Sequence, residues 1–281
     1  MHSKKSRLRI PSPRFLLIAA LLAPVVGACE DGVGGEAPSG RVYGTAVALG
    51  AGTARTYVEL KDGDPVEVGL AISESALQNL PAGTHDGTGH MNMFEYILAL
   101  PAEAGKTPFK FVELDWNPMG HEPPGIYDKP HFDMHFYTIT KAERDAIDPS
   151  DPAYAQKAGN LPAAEMMPQG YVAPNVLAGA PPAAVAVPRM GMHWLDVASP
   201  ELHGELFTKT LIVGSWDGKR TFIEPMITKA YLESKPDFSA QIPAIQRYGT
   251  PGFYPGAYSI RWDAQAGEWR IALTQMVKRD N

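Results

Sequence analysis

Short runs of Val, Leu, Ile, Thr and aromatic residues, broken every eight to ten positions by Gly, Asp or Pro, dominate the chain. Arg41–Leu49, Ala54–Leu60 and Pro65–Ile72 read as strands, with Asp62-Gly63 marking a tight turn between the last two. Thr208–Trp216 and Lys219–Thr228 flank Asp217-Gly218, and Tyr258–Asp263 and Glu268–Val277 flank Ala264–Gly267, so two more hairpins are predicted. Helix is sparse. Ser73–Leu80 is one short candidate; Lys141–Ile147 is another, opened by Thr140 and Glu143 in capping-box spacing and closed by Asp148-Pro149. The regular βα alternation of a doubly wound sheet is missing, and 26 Pro and 27 Gly favour loops over a bundle. The expected fold is mainly β, an antiparallel barrel or sandwich with long Pro/Gly-rich loops and one or two short helices.

The N-terminus stands outside that pattern. Residues 1–14 carry Lys4, Lys5, Arg7, Arg9 and Arg14 with no acid, and Phe15–Val26 is an apolar run too short to span a bilayer as a helix. Gly27-Ala28-Cys29 follows, small residues before a cysteine, as in a lipoprotein signal. Residues 1–28 therefore read as a signal peptide and Cys29 as the lipidated first residue of the mature chain. The alternative is an ordinary signal peptide with an incidental cysteine. Cys29 is the only cysteine, and an unpaired thiol in an oxidising compartment is a liability, which favours lipidation. Glu30 rather than aspartate follows it, pointing to the outer membrane of a bacterial cell envelope, with the body in the periplasm. Residues 29–40, Gly-rich and small, have the composition of a flexible tether. Residues 41–281 are expected to form a single β-rich domain. The Ala/Pro-rich stretch Leu161–Pro188 reads either as a joint or as a long surface loop over one core.

Charge and composition then narrow the chemistry. Removing residues 1–28 takes the formal net charge from −6 to −11, because that segment holds five bases and no acid. An acidic surface argues against nucleic acid and anionic headgroups as partners. With Cys29 lipidated the body has no thiol, which excludes disulfides, thiolate nucleophiles and Cys-ligated zinc or iron–sulfur sites. No glycine-rich phosphate loop follows a strand and no GxSxG elbow is present.

The informative stretch is Asp115–Tyr137, DWNPMGHEPPGIYDKPHFDMHFY, which holds three of the eight histidines beside carboxylates. His131–Tyr137 alternates at period two, so His131, Asp133 and His135 share one strand face and Phe132, Met134 and Phe136 the other. At about 3.3 Å per residue, positions two apart suit one ion whereas His131 and His135, about 13 Å apart, barely reach. Asp133 can ligate beside either histidine or orient an imidazole from behind. The remaining ligands must come from elsewhere. His193 lies in the strand-like RMGMHWLDV; Glu224 interrupts the apolar TFIEPMIT; His121 sits on a loop positioned to fold back over the strand that follows. The candidate metal set is His131, His135, His193, Glu224 and His121, with Asp133 behind it. Histidine and carboxylate without cysteine favour zinc, iron, copper or manganese over calcium. His85, His90 and His203 read as structural, and Asp115 and Trp116 as fixing a loop.

GHEPPGIYDKPHFDMHFY, PRMGMHWLD and TFIEPMIT resemble, in order and wording, a family of secreted or lipidated bacterial proteins with a domain of unknown function, of the Thermus sigma-E-regulon type. The resemblance spans about residues 85–230 and implies a β-rich fold and homo-oligomerisation; it supplies no reaction, substrate or catalytic residues. Two readings follow from the sequence. One is a periplasm-facing, outer-membrane-anchored lipoprotein with a His/carboxylate transition-metal site. The other is a non-catalytic binding or assembly protein whose histidine-rich strand is structural.

Overall fold

In the computed structural model, which describes residues 37–83 and 93–280, the chain builds two seven-stranded antiparallel sheets packed face to face. The strands in chain order are β1 (Gly40–Tyr43), β2 (Val47–Leu49), β3 (Gly52–Lys61), β4 (Asp64–Ser73), β5 (Phe94–Ala99), β6 (Phe111–Asn117), β7 (His131–Tyr137), β8 (Tyr171–Val172), β9 (Met192–Asp196), β10 (Lys209–Trp216), β11 (Lys219–Thr228), β12 (Asp237–Gln241), β13 (Gly252–Tyr254), β14 (Ala257–Asp263), β15 (Glu268–Thr274) and β16 (Val277–Arg279). The first sheet runs β1-β3-β4-β15-β14-β12, with β2 also on β3; the second runs β5-β6-β7-β11-β10-β9-β8; β13 and β16 form a separate pair. Neither sheet closes on itself, so the sandwich is realised and the barrel is not. No helix of the described residues is long and apolar enough to cross a membrane.

Local chemistry explains most boundaries. Asp62 and Gly63 (φ +52° and +78°) turn β3 into β4, and Asp217 and Gly218 (φ +46° and +76°) turn β10 into β11. These are the positive-φ pairs a two-residue hairpin needs, and Asp-Gly adopts them readily. The predicted strand Arg41–Leu49 splits in two at Gly44. A Cβ there would lie 2.3 Å from the Thr56 hydroxyl and 2.6 Å from the Ala99 carbonyl, and this close approach ends β1. Ser73–Leu80 shortens to a single 3₁₀ turn, Glu74–Leu77, because the Ser73 hydroxyl accepts from the Thr53 amide instead of capping a helix. The other predicted helix forms as α1 (Lys141–Asp145), with both halves of the Thr140/Glu143 capping box present. Four more short helices appear: α2 (Tyr154–Gly159), α3 (Pro174–Ala178), α4 (Pro182–Val185) and α5 (Lys229–Glu233).

The core lies between the sheets, where Val58, Val68, Leu70, Ile72, Ile260 and Ile271 meet Leu98, Val112, Leu114, Phe132, Met134, Phe136 and Ile223. A smaller cluster covers the opposite face of the second sheet, with Phe111, Tyr137, Ile212, Phe222 and Met226 under Tyr127, Met190 and Phe207 from connecting segments. That second face is therefore largely covered too, and Glu113, Asp115, His131, Asp133, His135 and Glu224 on it are buried. His85, His90 and Cys29 lie outside the described residues.

Candidate metal centre on the outer face of the second sheet

Strand alternation decides which residues reach this face. On β6, Val112, Leu114 and Trp116 enter the main core, which turns Glu113, Asp115 and Asn117 to the other side. On β7, Phe132, Met134 and Phe136 enter the core, which turns His131, Asp133 and His135 the same way. The register sets Glu113 opposite His135, Asp115 opposite Asp133 and Asn117 opposite His131. On the other side of β7, Ile223 pairs with Phe136 and Met226 with Asp133, which brings Glu224 beside His135. Gly214 of β10 pairs with both Phe222 and His193. Because Gly214 has no side chain, the Phe222 ring lies where a Cβ would be, 2.2 Å from its position, and the rings of His135 and His193 rest on Phe222 at 4.7 and 5.1 Å.

The predicted ligands fall into two neighbouring groups rather than one. In the first, Nε2 of His135 lies 3.4 Å from Oε1 of Glu224, and Nε2 of His193 lies 3.8 Å from its Oε2. Behind His135, its Nδ1 lies 3.3 Å from Oδ2 of Asp115. In the second group, Nε2 of His121 and of His131 lie 3.3 and 3.1 Å from the two oxygens of Asp133. His121 arrives from the 118–130 loop, where its amide donates to the Tyr127 carbonyl. His131 and His135 do not share a group, consistent with the strand spacing, and Asp133 sits directly between two imidazoles. His203 only meets the Val197 carbonyl, at 2.8 Å, on the surface.

These atoms are close without being bonded. Nε2 of His131, Oδ1 of Asp133, both ring nitrogens of His135, both oxygens of Asp115 and Oε2 of Glu224 are shielded from solvent and have no hydrogen-bond partner among the described residues. Within each group the candidate ligand atoms all lie within 4.8 Å of one another. Buried polar atoms left this way are rare in folded proteins and call for a ligand or a proton.

The electrostatics point the same way. Burial, reinforced by Asp133, Asp115 and Glu113, holds the Glu224 carboxyl well above the usual range. Burial and Asp133 do the same to Asp115. Glu113 is pushed up to about 7 by burial and Asp115, against His135 and Arg144. Burial lowers both His135 and His193, the latter to about 3 with help from His135 and His121, so these rings stay neutral with lone pairs free. Asp133 differs: although burial opposes ionisation, His131 and His121 hold it well below the usual range. Its carboxylate in turn raises His121 against the effect of burial.

Comparison with known proteins adds one assignment. Residues 61–116 match the TTHB210-like family, described as hypothetical protein TTHB210. The match runs from the β3–β4 turn through most of β6, about a fifth of the chain, and includes Glu113 and Asp115 but not His121, His131, His135 or His193. This segment is similar to an uncharacterised family of unknown function. No curated protein and no solved structure matches the chain.

Sequence reasoning missed four contributors. Asp115, expected on a loop, is fully buried in β6 and faces His135. Glu113 and Asn117 share its face, and the signal was present in FVELDWN, where acids and amide alternate with Val, Leu and Trp. Arg144 left no such signal. It reads as an exposed helix residue, yet its buried guanidinium reaches Oε1 of Glu113 at 2.5 Å and Oε2 of Glu95 at 2.6 Å.

Proposed function

We propose that this chain is an envelope lipoprotein, anchored in the outer membrane through lipidated Cys29, whose periplasmic β-sandwich holds a divalent transition metal on His135, His193 and Glu224. One observation carries the metal reading: Nε2 of His135, Nε2 of His193 and the Glu224 carboxylate, from three strands, come together with separations of 3.4 and 3.8 Å and no hydrogen bond among them. With metal–ligand bonds of about 2.0–2.2 Å, the ligand–ligand edge of a tetrahedral site is about 3.4 Å. The 3.4 Å separation between His135 and Glu224 matches that edge, and the 3.8 Å separation at His193 needs closure by a few tenths of an ångström. Asp115, 3.3 Å behind Nδ1 of His135, is placed to accept from that ring once Nε2 is bound to an ion.

Two imidazoles, a carboxylate and no thiol suit zinc, iron, copper or manganese. Three protein ligands leave positions for water or a substrate oxygen, the arrangement that lets a metal activate water or polarise a carbonyl. Homo-oligomerisation is proposed on the family resemblance.

A second reading draws on Asp133, whose contacts with His121 and His131 supply part of the charge balance without any ion. In that reading the protein is a non-catalytic binding or assembly component and the histidine strand is structural. Metal analysis of the full chain purified in detergent separates the two. The metal reading expects near-stoichiometric ion that is lost with His193→Ala; a protein that is metal-free and takes up no zinc, iron, copper or manganese supports the structural reading.

A further inference from the structure

The second histidine group was expected to complete the shell of a single ion. Its ring geometry says otherwise. Nδ1 of His121 lies 2.7 Å from the Glu122 carbonyl and Nδ1 of His131 lies 2.6 Å from the Lys129 carbonyl. A carbonyl oxygen only accepts, so both Nδ1 atoms carry the hydrogen. In the neutral rings both Nε2 atoms are then bare lone pairs, and each faces an oxygen of the Asp133 carboxylate, at 3.3 and 3.1 Å. Three acceptors meet with no donor between them. The far side of Asp133 is fixed by Asn117, whose Nδ2 donates to Oδ2 at 2.7 Å, so the carboxylate cannot turn away without breaking that bond.

The two ring centroids are 4.6 Å apart and His131 is wholly buried, so the three side chains form one compact group. A single divalent cation held by both Nε2 atoms and the Asp133 carboxylate satisfies all three side chains at once, and separations of 3.1 Å to Oδ1 and 3.3 Å to Oδ2 are of the size of ligand–ligand edges for bonds of about 2.0–2.2 Å. Nε2 of His131 and Oδ1 of Asp133 are sealed from solvent and, although 3.1 Å apart, form no hydrogen bond, which leaves both buried atoms without a partner.

We propose that His121, His131 and Asp133 form a second transition-metal site, separate from the one on His135, His193 and Glu224, so that the sheet face binds two ions per chain. The two sites share no ligand; this one stands on its own geometry and does not require the first to be right. His121 is its gate. It is the one ligand of this site with substantial exposure, 34%, and it comes from the 118–130 loop. That loop turns at Gly120, where φ is +74° and an added Cβ would lie 2.2 Å from the Tyr127 carbonyl oxygen. An ion enters from the loop side and His121 closes over it.

The test is zinc stoichiometry by native mass spectrometry on the full chain, stripped with chelator and titrated with zinc alone. Wild type should take two ions, His121→Ala one, His193→Ala one, and the double variant none. His121→Gln, which keeps a polar side chain at the loop, should match His121→Ala and guards against a folding defect. A wild-type protein that takes one ion, keeps it in His121→Ala and loses it in His193→Ala overturns the second site and leaves the first standing. One ion kept in His193→Ala and lost in His121→Ala overturns the first and supports the second. Two ions both lost on His121→Ala show one shared cluster and overturn the separation proposed here. No zinc in any form overturns both.

Discussion

Glu113→Gln should make the metal-free protein more stable at alkaline pH, although it removes a partner from a buried arginine. Glu113 is 0% exposed, and burial, followed by Asp115, pushes its carboxyl from an ordinary 4.5 up to about 7 despite His135 and Arg144. Between those values the native state keeps a proton that the unfolded chain has released. Its contribution to stability is therefore complete below about pH 4.5 and is lost as pH rises through 7. Each pH unit of the gap is worth about 1.4 kcal/mol, giving a loss of about 3 kcal/mol by pH 8. Glutamine has the shape of the protonated acid and no such dependence. Arg144 keeps Glu95 at 2.6 Å and Asp145 at 2.9 Å, so the substitution does not strand its charge. In chelator, urea unfolding followed by tryptophan fluorescence should give equal stabilities near pH 4.5. The variant should be ahead by up to about 3 kcal/mol at pH 8, or roughly 6–12 °C in Tm for a domain of this size. A variant less stable than wild type at pH 8 would refute the reasoning, because it would mean that ionised Glu113 and Arg144 form a net stabilising pair.

Other consequences are equally open to measurement. Asp115→Asn removes the carboxylate behind His135 and should weaken zinc binding by about 10- to 100-fold in calorimetry while leaving stoichiometry unchanged; unaltered affinity would remove Asp115 from the site. Gly214→Ala puts a Cβ into the Phe222 ring, which should cost about 1–3 kcal/mol by overpacking and also displace the surface on which His135 and His193 rest. Wild-type stability in that variant would show that Phe222 moves aside freely. If acyl chains on Cys29 are the proposed anchor, Cys29→Ser should abolish membrane association; retention in the membrane fraction at high salt would end the lipoprotein reading.

The sandwich was readable wherever side chains alternate and turn residues are chemically specific. Asp62-Gly63 and Asp217-Gly218 named their hairpins because few other pairs accept two positive φ values. The Thr140/Glu143 box named α1 for a similar reason, since both its bonds are local. The ligand set drawn from the sequence falls into two groups in the structure, and strand spacing already set His131 apart from His135. What alternation could not supply was pairing order. That Glu224 meets His135, and Asp115 faces Asp133, depends on β11 and β6 both flanking β7, a long-range arrangement with no local signature. Arg144 was invisible for the same reason: a helix placed over the sheet turns a surface arginine into a buried one.

Anomalous diffraction from zinc-soaked crystals at the zinc absorption edge tests the metal centre most directly. A peak within about 2.0–2.2 Å of Nε2 of His135, Nε2 of His193 and an oxygen of Glu224 is the predicted result. No peak at that position, with the three side chains instead hydrogen-bonded to one another or to water, would contradict it.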